Sequence, residues 1–144
     1  MDKRILGIDF GNVRVGVAVS DPLRIIAQSV GTFQNNATIL DQLEKVAKEY
    51  DVGLVVVGMP YTLRGEKGSK AEEVDKFIDA LKKKLAVDVV SLDERFTSRI
   101  AQQTLIQMGT TKKQRRTNKG RVDAMASALI LQSFLDQTKH SIGC

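Results

Sequence analysis

The chain has 144 residues, 42% of them apolar and 27% charged, a length and composition that predict one globular domain. Its single cysteine, Cys144, excludes a disulfide framework. No apolar run approaches the ~18 residues of a membrane span, and Asp9 and Arg14 break any signal-peptide pattern, so a cytoplasmic protein is expected. Lys and Arg number 22 against 17 Asp and Glu, a net charge of +5. The excess is local. Residues 112–121 (KKQRRTNKGR) hold six basic residues and no acidic one, and the rest of the chain carries 16 against 17. A near-neutral body with one basic segment points to a local polyanion contact, or otherwise to a solvated loop.

Arg4–Asp9 is a short apolar run, followed by a Phe10-Gly11-Asn12 turn. Val13, Val15, Val17 and Val19 then alternate with a period of two, which predicts a strand and an antiparallel hairpin. Ile25–Phe33 completes a three-strand meander. Helical spacing takes over from Thr38 to Tyr50, with Asn36 or Thr38 as cap. Gly53–Gly58 is continuously apolar, as in a strand covered on both faces. A Pro/Gly loop at Met59–Gly68 leads to a helix after Ser69, with Val74, Phe77, Ile78, Leu81 and Leu85 on one face. Val87–Leu92 reads as another buried strand, and Thr97 or Ser98 caps a helix reaching Met108. After the basic segment, Val122–Leu135 reads as the last helix. The order β-β-β-α-β-α-β-α-α predicts an α/β fold, a five-stranded mixed sheet with helices on both faces. Residues 1–138 are expected to form the domain and 139–144 a tail.

Ligands of such sheets gather beyond the carboxyl ends of the parallel strands. Asp9 ends the first candidate strand, Asp93 and Glu94 follow the last, and Asp123 lies early in the final helix. If these ends meet, Asp9, Glu94 and Asp123 converge. Clustered carboxylates need a compensating cation. Oxygen donors without histidine or cysteine favour Mg²⁺ or Mn²⁺, and two such ions can cleave a phosphodiester while Lys and Arg hold the flanking phosphates. Each acid also has a plain explanation: Asp9 as a turn residue, Glu94 paired with Arg95 or Arg99, and Asp123 as a first-turn acid favoured by the helix dipole. His140 lies in the polar C-terminal stretch, and no nucleotide-loop or zinc motif is present.

ILGIDFGNVRVGVAVSD (Ile5–Asp21), VVVGMPYTLRGEKG (Val55–Gly68), LDERFTSRIAQ (Leu92–Gln102) and NKGRVDAMASALILQSFL (Asn118–Leu135) resemble the YqgF/RuvX family nearly end to end. The resemblance implies an RNase H-like fold and a nuclease. Family members have been described as Holliday junction resolvases and as nucleases maturing the 5′ end of precursor 16S ribosomal RNA. The family's acidic triad falls on Asp9, Glu94 and Asp123, all present here. As a nuclease, the chain would take its metal through those three residues. Arg95, Lys112, Lys113, Arg115, Arg116, Lys119 and Arg121 would contact nucleic acid, with Gly11, Thr97 and Ser98 in support. Either precursor rRNA or branched DNA suits this chemistry, and monomer and homodimer are both open.

Two other readings compete. The opening hairpin also resembles the phosphate-binding hairpin of the sugar-kinase and actin fold, but a second such hairpin is absent. A nucleic-acid-binding protein without catalysis would need only the basic segment. That reading leaves three acids facing phosphate, which is unfavourable unless a metal sits among them.

Overall fold

A computed structural model describes residues 3–60, 68–93 and 119–142, with side chains of the last segment described over 125–138. Its strands are β1 (Arg4–Phe10), β2 (Arg14–Ser20), β3 (Ala27–Gln34), β4 (Val52–Met59) and β5 (Asp88–Asp93). The helices are α1 (Ile39–Glu49), α2 (Ser69–Leu85) and α3 (Lys119–Ile142). The strands form one sheet in the order β3-β2-β1-β4-β5. β1, β2 and β3 pair antiparallel, as the expected meander, and β1, β4 and β5 run parallel.

Alternation divides the strands between two cores. Leu6, Ile8, Val15, Val17, Val19, Val55 and Val57 face α1 and α2, packing on Leu43, Val46, Val74, Phe77 and Leu81. Ile5, Ala18, Ala27, Val56 and Leu92 face the other way, onto Ala128, Ile130, Leu131 and Leu135 of α3. This explains the unbroken apolar run in β4: both of its faces are covered. Burying that apolar area is the main favourable term in folding. Lys84 and Asp41, 2.7 Å apart, tie α2 to α1 across the surface.

Several boundaries differ from the sequence pattern. Ile25 and Ile26 lie in the β2–β3 connection, half-exposed, rather than in a strand. There Asp21 Oδ1 accepts from the Ile25 and Ile26 N–H groups at 2.7 and 2.9 Å, and Arg24 takes a left-handed φ of 58°. The tight connection outcompetes the β propensity of these residues. Val13 belongs to the β1–β2 turn and is 64% exposed, so the buried face of β2 starts at Val15. α2 begins at Ser69 itself, with Gly68 as the cap residue. Thr38 holds the cap position of α1 without a side-chain cap bond, while Asn36 Oδ1 accepts from the Thr38 N–H and hydroxyl. α3 begins at Lys119 and runs to Ile142, longer at both ends than Val122–Leu135, because the apolar pattern marks only its buried length. The helix expected from Thr97 or Ser98 to Met108 lies outside the described residues.

Candidate active site

Asp9 lies near the carboxyl end of β1, the central strand, and is half-buried. It pairs with Gly16 of β2, and its neighbour Ile8 pairs with Val57 of β4. Further along the same edge Gly58 pairs with Leu92, and Met59 with Asp93. The ends of β1, β4 and β5 are therefore level, and Asp93, the last residue of β5, precedes Glu94 in the chain. Side chains alternate along a strand, so Asp9 shares the α3 face with Ile5 and Gly7.

α3 runs antiparallel to β1. At the start of the sheet, the Ile5 N–H donates to Ser20 Oγ at 2.8 Å, and Ser20 pairs with Ala27 of β3. The Ala27 N–H donates to Gln132 Oε1 at 2.9 Å, and Gln132 Nε2 donates to the Ile25 carbonyl at 3.0 Å. Two residues further along β1, Gly7 lies under Ser127 and Leu131. The helix thus descends in residue number toward Asp9, and the turn carrying Asp123 is the next one along.

With α3 starting at Lys119, Asp123 stands beyond the first turn, which contains no acidic residue. The dipole explanation for Asp123 therefore falls away. Lys119 and Arg121 occupy the first turn instead, where the helix dipole disfavours cations. Helix electrostatics gives no reason for their position.

The turn after Asp9 is pinned from two sides. Asn35 Nδ2 donates to the Gly11 carbonyl at 2.7 Å and the Asn35 N–H to the Val13 carbonyl at 2.9 Å. Lys70 Nζ, from the start of α2, donates to Asn12 Oδ1 at 2.9 Å and stands 5.8 Å from the Phe10 ring centre. Phe10 in turn packs on Phe77, with ring centres 4.4 Å apart. A Cβ at Gly11 would run into the Arg14 carbonyl oxygen, so the turn requires glycine there. Lys70 and Asn35 have no signal in the sequence, because each acts through a contact between distant segments.

Of the expected site residues, Asp9 and Gly11 are described in full, and Lys119, Arg121 and Asp123 as positions on α3. Glu94, Arg95, Thr97, Ser98, Lys112, Lys113, Arg115 and Arg116 lie outside the described residues. Among the described residues no group of three or more acidic, histidine or cysteine side chains forms a metal site, and no helix is long and apolar enough to cross a membrane.

Comparison with known proteins adds three findings. A family model described as "RuvX: Holliday junction resolvase" matches residues 3–137. Proteins named "Putative pre-16S rRNA nuclease" from Sulfurihydrogenibium sp. and Chlorobaculum tepidum are 36% and 41% identical. Their alignments cover 96% and 93% of this chain, and 94% of each relative. Among solved structures, Thermus thermophilus RuvC in complex with a Holliday junction substrate superposes with a TM-score of 0.61 at 15% identity, covering 94% of this chain and 96% of that one. The Fowlpox virus resolvase, in complex with Holliday junction DNA, gives 0.57 at 13%, covering 94% and 98%. The fold is RNase H-like, as the family resemblance implied.

Proposed function

The chain belongs to the RuvX family and is a hydrolytic nuclease, and from that premise we propose that it processes the 5′ end of precursor 16S rRNA, with Asp9, Glu94 and Asp123 as its catalytic acids. The observation that carries the reading is the antiparallel docking of α3 on β1. It brings the helix turn bearing Asp123 toward the strand end bearing Asp9. The relatives' names support RNA as substrate.

The donor chemistry fits a divalent cation. The three candidates offer only carboxylate oxygens, Asp9 is half-buried on a central strand, and the chain's one histidine and one cysteine stand at 140 and 144. Asp9, Glu94 and Asp123 would hold Mg²⁺ or Mn²⁺, hard cations suited to such donors. When bound there, the cation offsets carboxylate repulsion, lowers the pKa of a water and stabilises the leaving oxygen. The protein's own part is positioning. Asp9 is held by its pairing with Gly16, by the Ile8–Val57 pairing beside it and by the pinned turn that follows it. Arg95, Lys119, Arg121 and the basic residues 112, 113, 115 and 116 hold flanking phosphates, leaving the scissile one to the acids.

The test is cleavage of precursor 16S rRNA and of a four-way DNA junction with Mg²⁺ or Mn²⁺, using Asp9→Asn as control. Wild-type cleavage of the RNA with an inactive variant is expected. Preference for the junction would favour the resolvase activity named in the family description. Equal cleavage by the variant would overturn the site, and metal-independent binding without cleavage would favour a non-catalytic role. Deletion of the gene followed by 5′-end mapping of 16S RNA tests the substrate in the cell: an unchanged end overturns the RNA assignment.

A further inference from the structure

We infer that Gly7 is a positioning residue whose missing side chain sets the distance between β1 and α3, and through it the spacing of Asp9 and Asp123. The inference rests on the active site proposed above. A Cβ built on Gly7 would lie 2.6 Å from Leu131 Cβ and 3.1 Å from the Ser127 carbonyl oxygen. Both atoms are fixed by the helix backbone, so neither can rotate away. Any side chain at this position must lift or tilt the helix.

The effect reaches the acids through matching repeats. Two residues of strand advance ~6.7 Å, and four residues of helix advance ~6 Å. Gly7 lies under Ser127 and Leu131, so the next step along each element leads to Asp9 and to Asp123. The spacing 123, 127, 131 keeps all three positions on one side of the helix. Immediately after Leu131, Gln132 fastens α3 to Ala27 and Ile25, so a side chain at Gly7 would push the helix on the amino-terminal side of that anchor. The helix would tilt about its Gln132 end, and the displacement would be largest at the Asp123 turn.

A plain packing role predicts something different: loss of stability with no change in how the acids bind a cation. Gly53 supplies the control. It is also crowded, lying near the amino end of β4, away from the acids. A Cβ there would meet Lys3 Cβ at 2.8 Å and Cδ at 2.9 Å; Cδ can swing aside, and the Cβ contact is relieved by a shift of the chain just before β1, at the end of that strand opposite Asp9.

The experiment is Mn²⁺ titration of the full-length protein without substrate, followed by calorimetry and by the metal-induced rise in melting temperature. The wild type is expected to bind. Gly7→Ala should weaken Mn²⁺ binding by roughly 10-fold or more, the size of effect seen when groups supporting metal ligands are disturbed. Gly53→Ala should match the wild type. Should Gly7→Ala fail to fold, Ala128→Val pries the same helix from the same face, since Ala128 is buried against the sheet. It should weaken binding in the same direction. Wild-type affinity in the helix-displacing variant, or equal loss in Gly53→Ala, overturns the inference. A wild type that binds no Mn²⁺ overturns the metal site itself.

Discussion

Lys70 donates a hydrogen bond to Asn12 across 2.9 Å, joining the start of α2 to the turn that follows Asp9. Its ammonium also lies over the face of Phe10, and among the described residues it meets no carboxylate. A neutral acceptor and an aromatic ring hold the cation in place without cancelling its charge. Lys70 is therefore expected to contact a backbone phosphate. Lys70→Ala should lower the slope of log affinity against log salt by about one, and Lys70→Arg should restore it. The unfolding midpoint should barely move, because an exposed interaction of this kind contributes little. Substrate affinity at three salt concentrations checks the prediction, and an unchanged slope refutes it.

Neutralising Lys112, Lys113, Arg115 and Arg116 together should have a larger effect of the same kind. Removing four cations that neutralise phosphates would flatten the salt slope by roughly three. Mn²⁺ binding should stay at the wild-type level, since no carboxylate is touched. Weakened metal binding in this variant would show that the basic segment shapes the acidic site.

Gln132 is buried and uses both ends of its amide. Oε1 accepts from Ala27, while Nε2 donates to the Ile25 carbonyl and to Asp136 Oδ1. Gln132→Leu keeps the volume and strands the Ala27 N–H. The expected cost is about 1–3 kcal/mol, the desolvation penalty of unpaired buried groups. Urea unfolding measures it, and a loss below ~0.5 kcal/mol would mean the connection re-forms another way.

Asp21 gives a pH-dependent prediction. Burial pushes its carboxyl up, but hydrogen bonds from the backbone, Ile26 and Ile25 first among them, outweigh that and hold it below the usual carboxylate value. A depressed carboxyl stabilises the fold above its unfolded pKa of ~3.9, and the benefit fades as pH falls through the lower folded value. The wild type should therefore lose part of its stability below about pH 4. Asp21→Ala should be less stable at pH 7 and show a shallower acid limb. Thermal melts at pH 7, 5 and 3 test this; parallel curves would refute it.

The sheet was legible because its strands have distinctive patterns. β2 alternates valines with the small residues Gly16 and Ala18, and β4 is an unbroken apolar run, although the structure covers both strands on two faces. Asp9 stood out as an acid ending an apolar run. Boundaries were less legible wherever a side chain overrides propensity. Asp21 captures two N–H groups and turns Ile25 and Ile26 out of the strand, and no periodicity reports that. The start of α3 was hidden by the charge of Lys119 and Arg121, which carries no apolar repeat. Gly7 gave no signal either: its importance lies in Leu131 and Ser127, more than a hundred residues away, and only the docked helix reveals it.

That separation has a consequence for synthesis. β1, β2 and β3 can pair as soon as they leave the ribosome, because their pairings are local. The face they leave bare is closed by a helix whose Gln132 reaches back 105 residues to Ala27. At ordinary translation rates, on the order of ten seconds pass between the two. During that interval the nascent chain carries Asp9 without Asp123. A ribosome making this protein thus closes the second face of the sheet only with this helix, and any stall or truncation before residue 119 leaves that apolar face exposed, suited to degradation.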